Sequence, residues 1–138
     1  MKITAKVEYA VLAIFELALS PEDRQVQARE IAERQRIPLR FLEQILIQLK
    51  KGGLVKSVRG ASGGYLLARG PAMIRLKDVM EAVEGELTLV DRTVAPGSIV
   101  STVFSEIESE LLDRLQSVTI QDLVVRKLRD DGIASYQI

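Results

Sequence analysis

Arg59-Gly-Ala-Ser-Gly-Gly-Tyr-Leu-Leu-Ala-Arg69 is the stretch on which the reading of this chain turns. Ahead of it, Leu54 to Val58 is rich in β-branched residues and reads as a strand; behind the glycines, Tyr65-Leu66-Leu67 reads as a second. Two strands joined by a Gly-rich loop make a β-hairpin. Glycines at 60, 63 and 64 allow positive φ, and without a Cβ they let the backbone approach another surface closely. Arg59 and Arg69 flank the turn, so that surface is expected to be anionic. A hairpin with cations at both ends, placed after helices, has the form of a DNA-binding wing.

The charge pattern around the hairpin agrees. The chain is neutral overall, yet Gln44 to Lys77 contains no acid, while Lys50, Lys51, Lys56, Arg59, Arg69, Arg75 and Lys77 supply seven positive charges. From Asp78 to Asp113 there are nine acids against one base, Arg92. Such asymmetry suggests one face for nucleic acid and a separate acidic body, although two solvated faces without a partner would look the same.

Upstream of the hairpin, a helix is expected from Pro38 to Lys51. Proline suits the first helical position, where its missing N–H would be unpaired anyway, and Gly52-Gly53 ends the helix. Leu39, Leu42, Ile45, Leu46 and Leu49 repeat at helical spacing and form its buried face. Lys50 and Lys51 sit at the negative end of the dipole. Off the buried face lie Arg40, Phe41, Glu43 and Gln44, then Ile47 and Gln48. Gln pairs bidentately with adenine, Glu accepts from cytosine N4, and an apolar group meets a thymine methyl, so the first of these suit a major groove. As ordinary exposed helix residues they would need no partner. A short helix from Gln27 to Arg34, with Ala28, Ile31 and Ala32 inward, and the tight connection Gln35-Arg36-Ile37 complete a helix-turn-helix. A first helix, Ala5 to Leu19, is capped by Thr4 and turns Val7, Ala10, Val11, Ile14, Phe15 and Ala18 inward, with Glu8 and Glu16 off that face.

Downstream, a helix from about Arg75 to Val83 carries Leu76, Val79, Met80 and Val83 and stops at Gly85. Residues 86–97 show no helical period; Leu87, Leu89 and Val90 suggest an extended piece. Ser98 caps a long helix in which Val100, Phe104, Ile107, Leu111, Leu115 and Val118 form a near-heptad stripe. A lone stripe must bury itself against something, and a two-fold partner helix is its expected use. Thr119-Ile-Gln-Asp122 resembles a capping box, with Asp in place of Glu, opening a last helix through Leu123, Val124 and Leu128. The expected class is therefore mainly α with a small β-hairpin. The expected organisation is a winged helix-turn-helix over 1–84, a linker over 85–97, a dimerisation helix and following helix over 98–129, and a flexible tail over 130–138.

Composition excludes several functions. With no Cys and no His there are no disulfides, no thiolate or imidazole metal ligands, and no Cys or His catalysis. Gly60-Ala-Ser-Gly-Gly64 could be taken for a phosphate cradle, but it lacks the Lys-Ser/Thr ending of a P-loop and joins two strands rather than opening a helix. No apolar run reaches the roughly 18 residues that span a bilayer, and no signal-peptide cleavage pattern is present. A cytoplasmic, non-enzymatic protein without cofactor, metal or membrane contact is expected. An interaction module whose winged helix binds no DNA is the alternative of another class.

Assembled, the segments KVEYAVLAIFELAL, IAERQRIP, FLEQILIQLKKGGLV, VRGASGGYLLAR, LKDVMEAVEG and TIQDLV cover nearly the whole chain. Together they resemble the Rrf-type winged-helix regulators, the family of the iron–sulfur regulator IscR, the nitric-oxide sensor NsrR and the cysteine-metabolism repressor CymR. The resemblance implies a homodimeric repressor or activator on a palindromic double-stranded operator. Phe41, Glu43 and Gln44 would lie in the major groove beside Arg40, and Arg59 would reach an adjacent minor groove. Lys50, Lys51, Lys56, Ser62 and Gly63 would complete the contact surface. Val100, Phe104, Ile107, Leu111, Leu115 and Val118 would form the dimer interface.

Cluster-binding members carry three cysteines between the fourth helix and the dimerisation helix. The corresponding stretch here, DRTVAPGSIVSTVFSEI, has none, which implies a member without an iron–sulfur cluster. Small-molecule sensing by the loop from 86 to 98 is one alternative. The cluster-free CymR offers another, through the segment EGELTLVD and a tail ending in an aromatic and a terminal Ile, here Tyr136-Gln-Ile138. Such a tail, the resemblance implies, docks in the substrate cleft of O-acetylserine sulfhydrylase (cysteine synthase). The α-carboxylate of Ile138 would be captured by backbone N–H groups and its side chain would fill an apolar pocket. A frayed tail ending in Ile by chance is the simpler reading.

Overall fold

Thr4 starts the first helix, its hydroxyl accepting from Val7 N at 3.2 Å, in the computed structural model, which describes residues 1–132 in full and 133–136 as backbone. The elements in order are α1 (Ala5–Leu19), α2 (Ala28–Gln35), α3 (Leu39–Lys51), β1 (Val55–Val58) and β2 (Gly64–Leu67). A 3-10 turn (Pro71–Met73), α4 (Leu76–Glu84), α5 (Ile99–Ser117) and α6 (Ile120–Tyr136) follow. The expected mainly α architecture with one hairpin is present. Among the described residues no helix is long and apolar enough to cross a membrane.

The core gathers Ile14 from α1, Ile31 from α2, Leu42, Leu46 and Leu49 from α3, Val79 from α4 and Ile120 from α6, all fully buried. Burying one such side chain contributes about 1.5–3 kcal/mol, so this shared cluster holds the helices together. Ala10 and Ala13, also fully buried, keep α1 thin where α3 and α4 pack on it. That buried face is rotated from the expected one: Ala13 and Leu17 are buried, while Val11, Phe15 and Ala18 are only half-buried. Glu16, expected off the face, is 5% exposed. Its carboxylate accepts from Gln35 Nε2 at 2.9 Å and Arg34 Nη1 at 3.3 Å, so α2 supplies the partners that make a buried charge tolerable.

In the turn between α2 and α3, Arg36 adopts a left-handed conformation (φ 55°) and its N–H region closes the end of α2. Pro38 takes the capping position rather than the expected first helical position, so α3 starts one residue later, and the Pro38 carbonyl accepts from Leu42 N at 3.0 Å. The antiparallel hairpin pairs Val55 with Leu67, Lys56 with Leu66, Ser57 with Tyr65 and Val58 with Gly64. Val26, in the polar loop after α1, adds a further bridge: Val26 N donates to Tyr65 O at 3.0 Å and Tyr65 N to Val26 O at 2.7 Å. Tyr65 and Leu67 pack against the core, as expected of residues that anchor a wing.

The entrances of α4 and α6 are laced together. Ile120 N donates to Ile74 O and Leu76 N to Val118 O, both at 2.9 Å. The expected capping box is formed, with Thr119 N donating to Asp122 Oδ2 at 2.9 Å and Asp122 N to Thr119 Oγ1 at 3.0 Å. The Thr119 N–H bond holds the Asp122 carboxyl below its ordinary range. Residues 86–97 form neither helix nor strand, so the expected extended piece is absent. Residues from Asp130 to Tyr136 continue α6 where a tail was expected. Gly132 is the one poor helix former of that segment and costs only about 1 kcal/mol, and Lys127 pairs with Asp131 at 3.1 Å one turn on. Of the expected partner-binding pair, Ile138 and the side chain of Tyr136 lie outside the described residues.

Candidate nucleic-acid interface

α3 presents its core face to α1 and α4 and leaves the opposite face to solvent. On it Arg40, Glu43 and Gln44 are exposed, together with two large apolar side chains, Phe41 (58% exposed) and Ile47 (53%). Among the described residues none of the five side chains makes an intramolecular hydrogen bond or ion pair. A fixed helix therefore displays a donor–acceptor amide, a carboxylate, a guanidinium and apolar groups along one line, the set needed to distinguish base-pair edges.

Of the seven cations of the acid-free span, Arg75 is half-buried at the cap of α4, and the other six divide into two groups. Lys50, Lys51, Lys56 and Arg59 are exposed at the end of α3 and along the wing. Lys50 Nζ reaches Ser57 Oγ at 2.7 Å, joining α3 to β1 without neutralising its charge. By contrast Arg69 donates to Met73 O at 3.4 Å and lies 3.8 Å from Asp78, and Lys77 pairs with Glu81 at 3.4 Å. The positive surface thus narrows to the four residues beside the exposed face of α3. Among the described residues no acidic partner offsets them.

At the wing tip only Gly60 uses positive φ (117°). Gly63, expected among the DNA contacts, is buried: its N–H bonds Gly60 O at 3.0 Å, and a Cβ there would fall 2.2 Å from Val58 O. A Cβ on Gly64 would fall 2.6 Å from Val26 O. The close approach expected of these two glycines is to the chain's own backbone. Ser62 and Arg59 remain exposed beside them.

α5 contains no buried residue. Val100, Phe104, Ile107 and Leu111 are exposed, joined by Ile99 and Val103. Leu115 and the neighbouring Leu112 turn instead onto the protein's own core, and half-buried Val118 caps α5 with its carbonyl spent on Leu76. The expected six-residue stripe is thus four outward residues followed by two held by the body. Beside the stripe, Glu108 accepts from the amides of Leu89 and Val90, the second at 3.0 Å, and fastens the 86–97 loop to α5. Those N–H groups, Leu89 first, hold its carboxyl below the ordinary range.

Sequence reasoning singled out neither Glu108 nor two residues of α1, Lys6 and Tyr9, that stand beside Phe41, Gln44 and Gln48 in one cleft. Nothing in their local spacing marks them; only the packing of α1 on α3 brings them there.

Three helices with a tight turn before the third, a two-stranded wing, and cations concentrated on the two define a winged helix-turn-helix DNA-binding transcription regulator. The chain belongs to the Rrf2 family: the family's sequence profile, described as an iron-dependent transcriptional regulator, matches residues 3–126. It is 35% identical over 136 residues to the transcriptional regulator IscR of Pectobacterium carotovorum, covering 92% of this chain and 81% of that protein. Among solved structures it is similar to T. potens IscR, with TM-score 0.77 and 36% identity over 92% of this chain and 88% of that one. It is also similar to CymR, the global cysteine regulator of B. subtilis, with TM-score 0.82 and 29% identity over 91% and 98%. These relatives are named as regulators of transcription and not as enzymes.

The donors usual for an iron–sulfur cluster do not occur in this sequence, whatever the family description says of iron. The chain has neither Cys nor His, and the described residues contain no group of three or more potential ligands that could hold a metal ion. In the loop before α5, Asp91 is engaged in its own turn, accepting from Thr93 N at 2.8 Å, a bond that lowers its pKa.

Proposed function

We propose that the protein is a homodimeric, sequence-specific repressor that reads a palindromic operator and works without an iron–sulfur cluster. The observation that carries this is the display on α3 of Arg40, Phe41, Glu43 and Gln44, whose side chains have no partner among the described residues, next to four cations that no described acid neutralises. In this reading the start of α3 enters the major groove, with Gln44 on an adenine, Glu43 on a cytosine N4 and Phe41 against a thymine methyl. Lys50, Lys51 and Lys56 bind phosphates, and Arg59 carries the wing into the neighbouring minor groove, with Ser62 on the backbone. Two copies pair through Val100, Phe104, Ile107 and Leu111, so that two α3 helices meet two half-sites. Bound there in the cytoplasm, the dimer blocks a promoter. The test is a salt titration of affinity for a duplex selected by the protein from random sequence. Each phosphate contact should contribute about −0.9 to the slope of log K against log salt. A flat dependence would overturn the reading.

The likeness to the B. subtilis global cysteine regulator supports a finer reading, in which the regulated genes serve sulfur metabolism and O-acetylserine sulfhydrylase is the partner. The segment 84–91 and the terminal Ile138, with Tyr136, support it further. Removing Ile138 should abolish complex formation with that enzyme while leaving operator affinity intact. Undiminished complex formation would remove the tail from the mechanism.

A further inference from the structure

Between the first turns of α1 and the exposed face of α3 lies an open cleft of about 640 Å³. Small-molecule sites commonly measure roughly 300–1,000 Å³ and combine apolar walls with a few convergent polar groups. This cleft has both. Its floor is buried Ile45, and Phe41 and Ile47, large apolar groups left in water, line it. Lys6, Tyr9, Gln44 and Gln48 also line it, and among the described residues none of these four polar side chains has an intramolecular partner. No acidic side chain is among the lining residues, so the single charge in the cleft is the Lys6 ammonium.

We infer that this cleft binds a small amphipathic organic carboxylate. Phe41 and Ile47 enclose its apolar body, while the Lys6 ammonium and the Tyr9 hydroxyl donate to its carboxylate. A bare inorganic anion would satisfy Lys6 but leave the apolar walls wet, and a neutral apolar molecule would leave Lys6 unmatched; the pairing of the two selects a molecule with both parts. Phe41, Gln44 and Ile47 belong to the face of α3 assigned to base reading. A filled cleft therefore withdraws them from DNA, and ligand and operator compete. This second step, unlike the binding itself, rests on the proposed DNA function.

Isothermal titration without DNA tests the site, using 1-naphthoate, its neutral analogue 1-naphthamide, and inorganic phosphate. The expected result is one saturable naphthoate site per protomer, at least tenfold weaker binding of naphthamide, and no saturation by phosphate. Lys6→Gln should erase the preference for the anion and Lys6→Arg should retain it, while Phe41→Ala should weaken both organic ligands. Absent saturation, equal affinity for naphthoate and naphthamide, saturation by phosphate alone, or a preference that survives Lys6→Gln would overturn the site. In a second arm, naphthoate at saturation should weaken binding to the selected duplex at least tenfold. Unchanged DNA affinity in protein that binds naphthoate would overturn the competition while the site stands. Loss of all DNA binding before ligand is added would instead refute the DNA reading.

Discussion

Gly63 and Gly64 are adjacent in the wing, yet neither needs glycine for its torsion angles; each is there because backbone occupies the space a Cβ would take. At Gly64 that backbone is Val26 O, 2.6 Å from the ideal Cβ position. Gly64→Ala must therefore part Val26 from Tyr65, whose two hydrogen bonds tie the wing to the loop after α1. We expect a loss of about 1–3 kcal/mol in urea denaturation, the usual cost of forcing a group into filled space, and faster amide exchange at Val26 and Tyr65. Unchanged protection of those amides would show that the wing is held elsewhere. In the proposed reading the residues of α3 and β1 divide by role. Gln44→Ala should cost about 1–3 kcal/mol on the preferred sequence and relax one base position. Lys56→Ala should weaken every duplex alike and reduce the salt slope by about one. Uniform weakening by both would mean that α3 does not read the bases.

At the scale of the elements, the Glu108 clamp makes the 86–97 loop sensitive to pH. Two backbone N–H groups favour the charged carboxylate and lower its pKa from the ordinary value of 4.5. For a depressed acid the stabilisation is fully present above the ordinary pKa and is lost as pH falls through the lowered one. The Leu89 and Val90 amide resonances should thus hold steady at neutral pH and shift together below pH 4.5. Glu108→Gln should abolish that transition and speed exchange of both amides; a transition that persists in the variant would belong to another group. The clamp was not legible in the sequence, because a loop with no period of its own supplies its donors. The burial of Glu16 was hidden because its partners, Arg34 and Gln35, reach it only after α2 docks. The end of α6 was missed because apolar spacing stops at Leu128 while the helix does not. The α3–wing unit was readable because every boundary has a local physical marker: Pro38 at the start, Gly52-Gly53 at the stop, and β-branched residues on each side of the glycines. The charge segregation read from the sequence also survives folding, although Arg69 and Lys77 are spent on neighbours.

For the molecule as a whole, the basic surface and the apolar α5 stripe answer different needs. In the proposed dimer the cations would bind any duplex, while two reading helices held at a fixed distance would select one. In that dimer a two-fold pair of α3 helices would meet half-sites about 34–36 Å apart, one turn of B-DNA, and the stripe on α5 would set that distance. Ile107 lies in the middle of the stripe, 44% exposed and outside the buried core. Ile107→Glu should therefore leave the far-UV spectrum unchanged while placing two carboxylates against each other across the pair. Sedimentation should then report a monomer at micromolar concentration. Linking two weak sites raises overall affinity by about 10²–10⁴, and affinity for a full palindrome should fall by a factor in that range. Affinity for a single half-site should be the same in both proteins, because Arg40, Phe41, Glu43 and Gln44 are untouched. A variant that still sediments as a dimer would place the two-fold interface away from α5.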